Sequence, residues 1–233
     1  MLFVFRRRGL VRRLPWVRRM AAIASLGDGR RRQLFELIAA SDQAMGRDDA
    51  ALALGVPRST ASFHLDRLVD DGLLAVEFQK ASGKTGPGSG RPAKMYRPAT
   101  GEVGASVPDR NYDLAGELLA AAIEHSTDTG LPVGDSLRDI SRQSGLQLAA
   151  DSTSLAEFIA GEGYQPEPDG SGGFVLRNCP FHRLAGGHPG VVCAMNGSFL
   201  QGAAAACGEP EDRVAPNDVP GQCCARITPP LNP

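Results

Sequence analysis

The sequence predicts an α+β protein in two parts, and three observations predict it. Between residues 30 and 98 the apolar residues follow helical spacing three times and then strand-like spacing twice. Beyond residue 111, helical stretches are interspersed with short segments punctuated by Gly and Pro. The charge divides along the same line. Residues 1–29 hold seven Arg against Asp28, a net +6; residues 30–98 hold eleven Lys or Arg against eight acids, a net +3; residues 99–233 hold seven against seventeen, a net −10. A polyanion is therefore expected to meet the N-terminal part, whatever the overall charge of −1 suggests, because the local field decides.

The first nineteen residues, MLFVFRRRGLVRRLPWVRR, carry seven Arg and no acid. No apolar stretch of roughly 7–15 residues follows the arginines, which argues against a secretory signal. An organellar presequence would be expected to contain Ser, and a nucleic-acid-binding arm would use the same arginines. The expectation for residues 1–19 is a disordered basic leader, or residues upstream of a start at Met20.

From Arg30, RRRQLFELIAAS sets Leu34, Leu37 and Ile38 on one helical face. Gly46 breaks the run, and DDAALAL (48–54) gives a second short helix with its acids in the first turn, where the helix dipole favours them. GVP at 55–57 is a tight turn. The next helix, STASFHLDRLVDD, has Ala61, Leu65, Leu68 and Val69 inward, Ser59 or its neighbour as cap, and Gly72 as terminator. LLAVEFQ (73–79) and AKMYRP (93–98) alternate like strands, and the loop between them is Gly-rich; from Lys80 to Arg97 there are five positive charges and no acid.

This order of elements is that of a winged helix-turn-helix, in which the second helix of the pair lies in the major groove of DNA. On that pattern Arg58, Ser59, Thr60, Ser62, His64 and Arg67 face the DNA, and Lys80, Lys84, Arg91 and Lys94 of the wing meet phosphates. Phe63 is expected to pack in the core or against a partner helix. The DNA-binding domain so read spans residues 20–98, and the Pro- and Gly-punctuated 99–110 is a linker.

Residues 111–233 are expected to form a second, small α+β domain. Helices are expected at 111–126, where Leu114, Leu118, Leu119 and Ala122 share a side, at about 135–150 and at 154–160. GYQPEPDGSGGFVLRN reads as a hairpin turning at DGSGG. PGVVCAMNGSFLQGAAAAC reads as a helix weakened by Gly197 and Gly202, and CCARITP supplies a last strand.

All five cysteines lie in this domain: Cys179, Cys193, Cys207, Cys223 and Cys224. The gaps of 13, 13 and 15 residues are unlike the C-x-x-C of zinc ribbons, so only the fold can bring these thiols together. A thiolate-rich site suits an iron–sulfur cluster or zinc. Buried thiols acting as small hydrophobes, or a thiol-redox switch, are the alternatives. In a strand, Cys223 and Cys224 would point to opposite faces. His182 and His188 could stand in as ligands or simply bond backbone carbonyls.

The runs FHLDRLVDDGLL and GRPAKMYRP resemble the ArsR-like and DeoR-like winged-helix transcriptional regulators of high-GC bacteria, and the resemblance extends over about residues 20–230. It implies a homodimeric, sequence-specific regulator of double-stranded DNA with a C-terminal sensing domain. The C-terminal part is similar in plan to SufR-type iron–sulfur regulators. That similarity implies a cluster on Cys179, Cys193, Cys207 and Cys223, with Cys224 as an alternative fourth ligand. Related regulators with glycine in place of Cys207 would need both Cys223 and Cys224.

Two other function classes compete with this one. The C-terminal domain could bind a small molecule or a partner, with the cysteines structural. A metal-dependent enzyme would draw ligands from HRLAGGH, but no acid stands close by to act as base and no phosphate-binding Gly-rich loop follows a strand, so the chain is not expected to be an enzyme. No apolar run reaches the roughly 18 residues of a membrane span. Unexported, clustered cysteines point to the reducing cytoplasm.

Overall fold

The computed structural model describes residues 13–79, 92–99 and 102–230. The chain is mixed α+β with two small antiparallel sheets, and it divides into two units, one of Leu14–Ala105 and one of Ser106–Pro233 together with Arg13, which pairs with Asp109 at 2.9 Å. Among the described residues no helix is long and apolar enough to cross a membrane.

The N-terminal unit begins with α1 (Trp16–Ser25), which overrides the expected boundary between residues 19 and 20. Arg19 is buried there, donating to the Leu14 and Gly104 carbonyls at 2.9 Å each. A buried guanidinium satisfied by backbone oxygens reads in sequence as one more leader arginine. Helix α2 (Gly29–Ala39) is capped by Asp28, whose carboxylate accepts from the Arg30 and Arg31 amides. Strand β1 (Met45–Gly46) leads into α3 (Arg47–Leu54), and Gly55, at φ +62°, makes the left-handed turn that ends it.

Helix α4 (Arg58–Asp70) follows with Pro57 at its N-cap, so no side chain caps it, contrary to the expectation for Ser59. Gly72, at φ +78°, turns the chain into β2 (Leu74–Gln79), which pairs with β3 (Ala93–Pro98) in the order β1-β3-β2. Leu34, Ile38, Ala61, Leu65, Leu68 and Tyr96 close this unit's core. Leu65 and Leu68 are fully buried, and truncating either to Ala is worth about 2–5 kcal/mol. Phe63 is 66 % exposed rather than in the core.

In the C-terminal unit, α5 (Tyr112–Thr129) and α6 (Val133–Leu148) form an antiparallel pair turned at Gly130. Helix α7 (Leu155–Gly161) is capped by Ser154. Strands β4 (Pro166–Pro168) and β5 (Phe174–Leu176) make the expected hairpin, its turn held by Asp169 accepting from the Ser171 and Gly173 amides. A short α8 (His182–Gly187) precedes the long α9 (Pro189–Ala206); a 3-10 turn, β6 (Val214–Pro216) and β7 (Ala225–Ile227) complete a sheet ordered β4-β5-β7-β6.

Helices α6 and α9 meet at backbone contact. A Cβ on Gly145 would fall 2.0 Å from the Phe199 carbonyl oxygen, and one on Gly202 would fall 1.9 Å from that of Arg142. No side chain fits at either place. Phe199 and Phe158 fill the core beside the crossing, with ring centroids 5.9 Å apart.

Candidate functional site

The fold of the C-terminal unit brings four of the five cysteines together. Cys179 sits in the loop after β5, Cys193 in the second turn of α9, and Cys223 and Cys224 in the loop entering β7, not in the strand itself. Their thiols are close enough to perturb one another in a series, Cys193 with Cys224, Cys224 with Cys223, and Cys223 with Cys179. All five cysteines are free.

The electrostatics follow from that order. The bond from Cys223 holds the Cys179 thiol below its usual range against the effect of burial, and the Phe181 amide adds to it. Cys223 is pushed up to about 12, first by its bond to Cys179. Burial and the bond to Cys224 push Cys193 up to about 12. The bond to Cys223, with burial, raises Cys224 as well.

Behind the thiols lies a polar pair that sequence reasoning missed. The buried Asn196 amide donates to Cys223 Sγ at 3.3 Å and to Cys224 Sγ at 3.6 Å, while its carbonyl accepts from Tyr164 Oη at 2.6 Å. Asn196 stands three residues after Cys193 on α9. A polar residue one turn from a cysteine, in an otherwise apolar helix, was the available signal.

Cys207 takes no part. It is the C-cap of α9, beside Glu209, which together with burial raises its thiol. Cys193 and Cys207 are fourteen residues apart on one helix, which is about 21 Å at 1.5 Å per residue. They cannot share one small site, and this corrects their expected partnership. His182 and His188 are exposed at the two ends of α8, outside the thiol group.

Four sulfur donors with amide N–H support suit a soft metal or an iron–sulfur cluster by donor chemistry. Among the described residues, no three His, Cys, Asp or Glu side chains already surround a common centre. Loading would therefore require the thiols to lose their protons and rearrange around a common centre.

One of the four is tied to the chain arriving from residue 106. The buried Asn178 donates to the Asp109 carbonyl at 2.9 Å and to that of Gly163 at 2.5 Å, and its own carbonyl accepts from Arg110. Arg110 also donates to the Cys179 carbonyl at 3.2 Å. The Asn111 amide donates to the Pro180 carbonyl at 3.1 Å, and its side chain donates to Glu162 at 2.8 Å. Residues 109–111 thus form a seam with the loop 178–180, on both sides of Cys179.

In the N-terminal unit, Arg58, Ser59 and Arg67 are exposed on α4, and Thr60, Ser62 and His64 are half-buried. Arg58 pairs with Asp48 of α3 at 2.5 Å, and Arg67 with Asp71 at 3.1 Å. The His64 Nδ1 is buried and has no hydrogen-bond partner. Lys94, expected as a phosphate contact, is instead engaged by Asp66 and lies over the Tyr96 ring, 5.1 Å from its centroid. Lys80, Lys84 and Arg91 lie outside the described residues.

Neither a known family model, nor a curated protein, nor a solved structure matches the chain, so the functional reading rests on these residues themselves.

Proposed function

We propose that the chain is a sequence-specific DNA-binding transcriptional regulator, acting as a homodimer, whose C-terminal unit senses a soft metal ion or an iron–sulfur cluster through Cys179, Cys193, Cys223 and Cys224. The observation that carries the sensing half is the gathering of four widely spaced thiols, two of which, Cys223 and Cys224, accept from Asn196. The DNA-binding half is supported by the order α3, turn, α4, β2, β3, by the exposed Arg58, Ser59 and Arg67, and by the acid-free basic loop between the two strands. The likeness to ArsR-like regulators points the same way.

When bound, such a group supplies a charged anchor common to the Cys179 loop, α9 and the β7 loop. The chain's own residues do the rest. Cys179, Cys193, Cys223 and Cys224 would hold the group as thiolates, Asn196 would donate to Cys223 and Cys224, and Asn178 and Arg110 would tie the Cys179 loop to residues 109–111. Regulation requires that the loaded and empty forms differ in DNA affinity.

The test is selection of DNA fragments by full-length protein, purified and reconstituted without oxygen, in loaded and empty forms. The expected result is enrichment of one two-fold-symmetric sequence, with affinity differing at least about fivefold between forms. Absence of any enriched sequence would overturn the regulator assignment. Metal-free, colourless protein after reconstitution would overturn the sensing assignment.

A further inference from the structure

Phe63 is the one large apolar side chain exposed on α4. It is 66 % exposed, while Ala61, Leu65 and Leu68 of the same helix are fully buried. Ser59 and Arg67 stand four residues before and after it, and both are exposed, so the three form one stripe along the outward side of the helix. Single exposed apolar residues are common on protein surfaces. What distinguishes this one is its place, in the second turn of a helix whose first turn presents Arg58 and Ser59.

The His64 ring meets that of Phe63 edge to face, with centroids 5.3 Å apart and planes at 70°, and so limits where the phenyl ring can turn. Arg58, Ser59 and Arg67 can all exchange hydrogen bonds with water, a phosphate or a base edge. Phe63 has no such capacity. The base-pair edges in the major groove present donors, acceptors and one apolar group, the 5-methyl of thymine. A phenyl ring carried into that groove therefore has a single matching target there. Cytosine has no methyl at the corresponding carbon and offers the ring nothing to cover.

We propose that Phe63 is a specificity-determining residue, which selects thymine in each half-site by covering its 5-methyl group. The proposal rests on the DNA-binding reading of α4. Arg58 and Ser59, nearest the helix N-terminus, meet phosphates or base edges, and the phenyl ring follows about 7.5 Å further along the axis at 1.5 Å per residue. The Arg58–Asp48 pair is exposed on both sides, so Arg58 is released from it at little cost. In a homodimer the two copies of Phe63 read two thymines related by two-fold symmetry.

The test uses the full-length protein and the duplex it selects, with thymine replaced by uracil at one symmetry-related pair of positions at a time. That change removes the methyl group and leaves the pairing and the hydrogen-bonding groups of the major groove as they were. At the ordinary worth of one buried methyl, one such replacement is expected to lower affinity by about fourfold in each half-site, about fifteenfold for the pair, read by fluorescence anisotropy. Phe63→Ala, a change at an exposed position that circular dichroism should show to be folded, is expected to bind the thymine and uracil duplexes within about twofold of each other. Phe63→Leu is expected to keep part of the difference. An undiminished thymine preference in Phe63→Ala would overturn the assignment, as would a selected duplex in which no uracil replacement changes affinity. A dimer that Phe63→Ala turns into a monomer in sedimentation would overturn it in favour of a subunit contact. Failure of the unmodified protein to select any sequence would overturn the DNA-binding reading beneath it.

Discussion

Asn196 is the residue on which the candidate site most depends apart from the sulfurs. Its amide is the one side-chain N–H donor shown to reach both Cys223 and Cys224, and Tyr164 fixes its orientation. Outer partners of this kind typically contribute 10–100-fold to metal affinity. Asn196→Leu is therefore expected to weaken Zn(II) or Co(II) binding by about 10–100-fold in chelator competition, with the fold retained. Cys193→Ser and Cys224→Ser should each weaken binding further, and Cys207→Ser should leave it unchanged. The exclusion of Cys207 was legible in the sequence, since a helix covering both Cys193 and Cys207 already separates them by its length. The choice of Asn196 was not, because only the fold brings β7 and Tyr164 to that face of α9.

Among the elements, the crossing of α6 and α9 and the link between α4 and β3 make separate predictions. Gly145 and Gly202 place the two helix backbones where no Cβ fits. Gly202→Ala, although it improves helix propensity, is expected to destabilise the C-terminal unit by about 1–3 kcal/mol through overpacking, read from urea unfolding. In sequence Gly202 looked like a weak point in a helix, indistinguishable from Gly197; packing separates the two. The amphipathic patterns of α2, α4 and α5 were legible because each buries one regular face. Helix α1 was not, because its inward side carries Arg19, Ala22 and Ser25 while Val17 and Ile23 face outward.

The α4–β3 link joins Asp66, Lys94 and Tyr96. Burial raises the Asp66 carboxyl, but the bonds from Lys94 and Tyr96 outweigh it and hold the group below the usual range. Burial lowers Lys94, and its bonds to Asp66 and Tyr96 outweigh that in turn; burial and Asp66 raise Tyr96. A depressed Asp66 stabilises above the ordinary carboxyl value of 3.8 and loses that stability as pH falls through its lower folded value. The raised Lys94 and Tyr96 stabilise below their ordinary values of 10.5 and 10.0 and lose that stability as pH rises beyond them. The N-terminal unit should therefore weaken at both ends of the pH range, with Asp66→Asn removing the acid limb. The pair is half exposed, so its worth stays below about 1 kcal/mol. Trp16, the single tryptophan, lies in this unit, and its fluorescence would follow the unfolding.

For the whole molecule, the division of charge was the clearest message of the sequence; the break between units at 105–106 lies close to the change of sign after residue 98, while Arg13 groups with the acidic unit. If the basic unit meets DNA, affinity must fall as salt rises, and Arg58→Ala should reduce the log–log salt slope by about 0.9 for the phosphate contact it gives up. That slope is measured by fluorescence anisotropy on the selected sequence. The last residues of the expected linker 99–110 are stitched into the C-terminal unit, Asp109 and Arg110 by Asn178. This bears on how the protein is to be dissected. A fragment starting at the helix, at residue 112, would lack Asp109, Arg110 and Asn111, stripping Asn178 of two of its three bonds at a cost of about 1–3 kcal/mol for each buried group left unpaired. Such a fragment should express as a softer protein with a slack Cys179 loop, whereas one cut before Ser106 keeps the Asn178 bonds and gives up the Arg13–Asp109 pair at 2.9 Å.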